Sequence, residues 1–215
     1  MLSSIAYQSR ENRALQLVYV FLVAMAVLIV ISFIQQGWEI ALRKESGGVE
    51  RASLYTAIFA AVLALALMVR NARGILAVPM VLALFALREL DFHDWWFEPG
   101  LLHMAIFTSP APLWHKLVSG VVMLFILLVL AQLVWRGTGP LLKALRERRG
   151  WPLLVLLGVA LAGLSVALDG LPARMGPNLS DLGAVIASVT EETGELALFV
   201  CLLLAVAVWP TEARR

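Results

Sequence analysis

Charge is scarce in this chain, and cysteine is almost absent. Only 15% of the 215 residues are charged, against about 25% in an average soluble domain. Cys201 is the single cysteine, which excludes an intramolecular disulfide and any C-x-x-C redox or zinc motif. It lies in an apolar run and reads as a small buried residue. Several motifs that carry chemistry are also missing: no G-x-S-x-G elbow, no Walker loop and no H-E-x-x-H stands at a suitable place. No histidines are paired across two apolar runs, which argues against a transmembrane haem. The formal net charge is only +2, and nothing in the sequence calls for a nucleic-acid partner.

What fills the space is apolar. Residues of the apolar types make up 61% of the chain. One water-soluble core cannot hide that much apolar surface, whereas lipid as solvent removes the problem. A membrane crossing takes about 20 mostly apolar residues. By that measure the sequence predicts an all-α, polytopic transmembrane bundle in a single domain, 1–215. Its spans are expected at about 15–34, 52–69, 74–90, 115–135, 151–168 and 182–209. The third is the shortest, and a re-entrant hairpin would also fit it. The first run is too long for the h-region of a cleavable signal, and no small-residue cleavage site follows it, so it reads as a retained span. Pro152 falls in the first turn of the fifth span, where its missing N–H costs little.

Loop charge sets the orientation, with Lys and Arg favouring the cytoplasmic side. With both termini inside, the inner segments hold Arg10, Arg13, Arg70, Arg73, Arg136, Lys143, Arg146, Arg148, Arg149, Arg214 and Arg215, which is 11 of the 17 basic residues. Of the 15 acidic residues only Glu11, Glu147 and Glu212 are inside, so 12 lie on the outer side. Topology does not require that second asymmetry, because acids contribute little to it. The plasma membrane (the inner membrane of a bacterium) is the expected location. Pro140–Arg149 reads as a short amphipathic helix, with Leu141, Leu142 and Leu145 on one side and Lys143, Arg146 and Arg149 every three residues. Such a segment suits anionic lipids, at about 1 kcal/mol per basic residue near the surface.

Three groups of ionisable residues converge on the outer side. The first is Arg88-Glu-Leu-Asp-Phe-His-Asp-Trp-Trp-Phe-Glu98, at the end of the third span. If the helix continues there, Arg88 pairs with Asp91 and Glu89 with His93 at helical spacing, and the tryptophans mark the headgroup level. The second is Ser188-Val-Thr-Glu-Glu-Thr-Gly-Glu195. Ser188, Glu191, Glu192 and Glu195 form overlapping stripes at spacings of three and four. Counting back from Trp209 at 1.5 Å per residue places Glu195 about 9 Å inside a 30 Å hydrocarbon slab. A carboxylate at that depth faces protein or a water-filled cavity. Crowded acids there take a proton, or a cation such as Arg88, Lys116 or a metal ion. Gly194 is expected to let a neighbouring helix approach. The third group is His93, His103 and His115, which are all the histidines of the chain. With Glu195, His93 and His115 offer a ligand set for a divalent metal ion such as Zn²⁺, although their spacing forms no established motif.

Gln35, Gln36, Glu39, Ser53, Thr56, Lys116, Ser119 and Asp169 lie at the same level, near the ends of the other spans. Asp91–Glu98 loosely resembles the acidic, tryptophan-containing segment of alkaline ceramidases, whose later H-x-x-x-H is absent here. Glu191-Glu192 is similar to the opening of the CAAX-type membrane protease motif, without the arginine and histidine that follow it. No family is assigned on either resemblance. Halves related by inversion would carry charge at corresponding places, whereas here the third span is charged at its end and the sixth at its start. That speaks against a simple transporter repeat. The reading is therefore a membrane protein whose polar pocket opens to the extracytoplasmic side. It binds or translocates a cation, a proton or a polar lipid headgroup, or serves as a subunit of a membrane complex or homo-oligomer. The alternative is a metal-dependent hydrolase acting on lipid at the outer leaflet.

Overall fold

The computed structural model describes residues 2–43, 47–71, 75–92, 94–98, 100–168 and 181–212, with side chains described except at 2–12, 43, 71, 181 and 210–212. Among these residues there are seven α-helices and no strand. The helices are α1 (Leu2–Gln36), α2 (Trp38–Arg43), α3 (Gly48–Asn71), α4 (Ala77–Glu89), α5 (Leu113–Arg146), α6 (Trp151–Leu168) and α7 (Asp181–Glu212), with a 3₁₀ turn at Met104–Phe107. Five segments are long and apolar enough to cross a bilayer: Arg13–Gln36, Gly48–Arg70, Leu113–Arg146, Trp151–Leu168 and Leu182–Trp209. They match five of the six expected runs. With 13 residues, α4 is about 20 Å long, two thirds of a 30 Å hydrocarbon core.

The bundle is organised around α3 and α7. On α3, Ala52, Thr56, Ala60 and Ala64 recur every four residues, and all are buried. Such a row of small side chains lets other helices approach closely, which is how helices associate when lipid removes the hydrophobic drive. Accordingly α3 packs against both α4 and α7, and α7 packs along α6. Val18 of α1, Ala60, Ala64 and Leu67 of α3, Leu82 of α4, and Leu203, Val206 and Ala207 of α7 form one apolar cluster. Phe21 stacks on Phe59 across the α1–α3 contact, with ring centroids 4.3 Å apart. Elsewhere the apolar side chains of α1 and α5 face outward; Ile34 is 79% and Trp135 88% exposed. Those exposed apolar surfaces are suited to contact with lipid.

Gly37 separates α1 from α2 at φ +80°, a conformation that costs glycine nothing. Its N–H donates to Phe33 O, closing α1, and its carbonyl accepts from Ala41 N. The basic segment after the fourth span differs from expectation. Residues 140–146 are the last two turns of α5, not a separate helix, and Pro140 lies inside that helix. One missing donor is outweighed because extending a helix adds a bond for each residue fixed, whereas a new helix requires a new nucleus. The helix ends where Arg148 turns to φ 54° and Arg149 N bonds back to Ala144 O. Gly194 is not a close-approach point either, since a Cβ there meets nothing within 4 Å. The tight α6–α7 contact is at Gly158, where a Cβ would lie 3.3 Å from Leu198 Cδ1 and 3.4 Å from Leu202 Cδ2.

Candidate functional site

Three helices each change from apolar to charged at one level of the bundle. Ala57 of α3, Ala86 of α4, and Leu198 and Phe199 of α7 pack together as a second apolar cluster, with Phe85 edge-on to Phe199. One turn beyond that floor stand Glu89 on α4 and Glu195 on α7, and on α3 the stripe runs from Ala57 through Ser53 to Glu50. Helical spacing thus carries the charged ends of three helices to the same place.

Arg88 closes the arrangement. Its Nη2 donates to Glu195 Oε1 at 2.9 Å, and its Nη1 lies 3.5 Å from Glu89 Oε1. The two carboxylates are well enclosed, with side chains 4% exposed at Glu89 and 12% at Glu195, while that of Arg88 is 47% exposed. A planar guanidinium presents two edges at once, which an ammonium cannot do. Glu192 and Glu50 also lie within electrostatic range of Glu89. One guanidinium thus bridges Glu89 and Glu195, with two further carboxylates within electrostatic range of Glu89, and the arginine side is open to solvent. Two hydroxyls behind it bond their own helix: Ser53 Oγ donates to Val49 O and Thr56 Oγ1 to Ala52 O. Ser165 Oγ donates to Glu191 O at 3.3 Å and ties α6 to α7 beside the acids.

The structure brings Arg88, Glu89 and Glu195 together with Glu192 in electrostatic range, keeps Glu191 half-buried on the same helix as Glu192 and Glu195, and gives several other candidates different surroundings. The expected Arg88–Asp91 and Glu89–His93 helical pairs require a helix that does not continue. It ends at Glu89 with Leu90 as its cap, and Asp91 follows at φ 48° with an exposed side chain. His93, like Asp169, lies outside the described residues. His103 is exposed. The ring of His115 stacks on Phe97, with centroids 4.3 Å apart and planes 8° from parallel, and meets Trp114 edge-on. Lys116 Nζ donates to Phe107 O at 3.3 Å. Ser188 is half-buried on α7, one turn before Glu192. Among the described residues no three Cys, His, Asp or Glu side chains gather as metal ligands.

Glu50 is the residue that sequence reasoning missed. Its signal was available in principle, as an acid in the first turn of a span on the acid-rich side. Its proximity to Glu89 depends on α3 lying against α4, which no local pattern states.

On α5, Ser119 Oγ and His115 Nδ1 are buried without a hydrogen-bond partner among the described residues. An unsatisfied buried hydroxyl stabilises nothing. Ser119→Ala is therefore expected to leave the melting temperature in detergent unchanged or to raise it, by up to about 1 kcal/mol in stability. A clear fall would show that the hydroxyl serves a bond that these residues do not provide.

The elements and their exposed apolar surfaces define the class: a helical membrane protein with an ion-paired cluster at one level of its bundle. The chain matches no protein-family model, no curated protein and no solved structure.

Proposed function

We propose that this is a cation-binding protein of the plasma membrane, the inner membrane in a bacterium. In this reading the bundle has six spans, the third made of α4 together with the non-helical residues that flank it. Both termini are cytoplasmic, and the cluster of Arg88, Glu89, Glu192 and Glu195 opens to the extracytoplasmic side. The basic segment 140–149, the last turns of α5 and the residues just after it, rests on anionic lipid of the cytoplasmic leaflet. A homo-oligomer or a larger membrane assembly supplies whatever a single short bundle lacks for translocation.

One observation carries the reading: Arg88 is shared between two enclosed carboxylates while further acids stand within electrostatic range. Acidic side chains within a membrane bundle are costly and are kept where they pair with each other or with an ion. A cation entering from the open arginine side takes one carboxylate and leaves the guanidinium to the other.

The test uses tag-free protein in detergent, with Na⁺, K⁺, Mg²⁺, Ca²⁺ and Zn²⁺ and with pH varied separately. One of these cations is expected to raise the melting temperature of the wild type, by about 2.7 kcal/mol in stability at a hundredfold excess over Kd. Glu195→Gln and Glu89→Gln are each expected to abolish that rise. No response to any cation or to pH, or a response unchanged in both variants, would refute the proposal. Elemental analysis of the same preparations reads out the hydrolase alternative. About one equivalent of zinc, lost in both Glu195→Gln and His115→Ala, would favour metal-dependent chemistry with His115 brought to the ion.

A further inference from the structure

A groove of about 270 Å³ opens along the side of the bundle between α1 and the start of α3. Its wall is one face of α1, where Ala24, Val27, Leu28 and Ile31 follow helical spacing. Its floor is Gly48, which approaches Ser32 so closely that even a Cβ would meet Ser32 Cβ at 2.5 Å. At one end the lining turns polar, with Gln35, Gln36 and Arg51. The groove thus has an apolar channel running along a membrane-spanning helix and a cationic mouth where that helix ends.

The chemistry at the mouth is that of an anion site. Arg51 is exposed, and among the described residues no carboxylate pairs with it. Gln36 Oε1 accepts from Ser32 Oγ at 3.1 Å, which uses its acceptor and leaves its amide N–H donors for an acceptor outside. A guanidinium beside amide donors matches phosphate oxygens. The apolar wall below matches a hydrocarbon chain, which lipid alone brings to this depth of the bilayer.

We propose that this groove is a phospholipid-binding site, in which one acyl chain lies along Ala24–Ile31 and the phosphate pairs with Arg51. The occupant comes from the leaflet that holds the α1–α3 connection. The groove shares no lining residue with the Arg88 cluster, and phospholipid binding there does not require that the cluster bind a cation.

Native mass spectrometry of the full chain, released from detergent after incubation with phosphatidylglycerol or with diacylglycerol of the same chains, tests this. The expected wild-type result is one retained phosphatidylglycerol and little diacylglycerol. Loss of the charge-assisted pairing in Arg51→Gln is expected to weaken retention about tenfold. Ala24→Phe, which fills the apolar channel and leaves the mouth intact, is expected to remove it as well. Arg136→Gln, at the opposite end of the bundle, is expected to keep it. Equal retention of diacylglycerol, or retention unchanged in both Arg51→Gln and Ala24→Phe, would overturn the proposal. Each variant's melting temperature is measured alongside, so that a misfolded variant is replaced by Arg51→Lys or Val27→Phe before retention is compared.

Discussion

Arg88→Leu is expected to lower stability by about 2–3 kcal/mol, among the largest effects of any single change in the chain. Removing one partner of a fully buried pair costs roughly 3–5 kcal/mol because a charge is left behind without compensation. Here two enclosed carboxylates, Glu89 and Glu195, lose the guanidinium they share and face one another. The figure is set below the fully buried range because Arg88 itself is 47% exposed, so solvent already screens part of the interaction. Arg88→Lys is expected to fall in between, since an ammonium serves one carboxylate well but has no second edge for the other. The double variant Arg88→Leu/Glu195→Leu is expected to be more stable than Arg88→Leu alone, because it removes the charge that the single change strands. Thermal unfolding in detergent, followed by size-exclusion chromatography, measures all three. Arg88→Leu melting with the wild type would show that the pair contributes nothing to the fold.

Gly48→Ala is the second large effect, and its cause is steric. The added Cβ would lie 2.5 Å from Ser32 Cβ and 2.8 Å from Ser32 Oγ, with the backbone Cα of Ile29 at 3.5 Å. The colliding atom is fixed to the main chain of α1, so no rotamer change relieves it, and the two helices must separate. Overpacking of this kind costs about 1–3 kcal/mol. The compensating changes discriminate sharply. Ser32→Gly removes the Cβ that is struck and is expected to restore most of the stability of Gly48→Ala. Ser32→Ala removes only the hydroxyl and is expected to restore little. Equal rescue by both would move the cause from the Cβ contact to the Ser32–Gln36 hydrogen bond.

Much of the helical layout was legible along the chain, because a crossing of lipid requires a continuous apolar run and the run is visible without any partner. Trp151–Leu168 is the same in both readings, and Leu182–Trp209 emerges unchanged as an apolar segment of α7. Boundaries were less legible where helices pass beyond the apolar run. Hydropathy stops at the change of solvent, whereas backbone hydrogen bonding does not, so α5 continues through Pro140 to Arg146. The pairing at Arg88 shows the same division. Local spacing pointed to Asp91, one turn on, but that pairing depends on a helix that stops at Glu89. The partner instead comes from a helix more than a hundred residues away, and Arg88 was among the cations that the acids of that helix were expected to recruit.

By itself, the sequence determined that this chain is helical and that it carries several runs long and apolar enough to cross a bilayer. Those properties follow from composition and period, which each segment carries alone. The tertiary structure decided which acids share Arg88, that Glu50 comes within electrostatic range of Glu89, that Gly48 and not Gly194 is a point of close approach, and that His115 lies against Phe97. These depend on which helix faces lie together. In a bundle immersed in lipid, that choice is made by small residues such as Ala52, Ala57 and Ala60 on α3, through close packing that no single segment can specify.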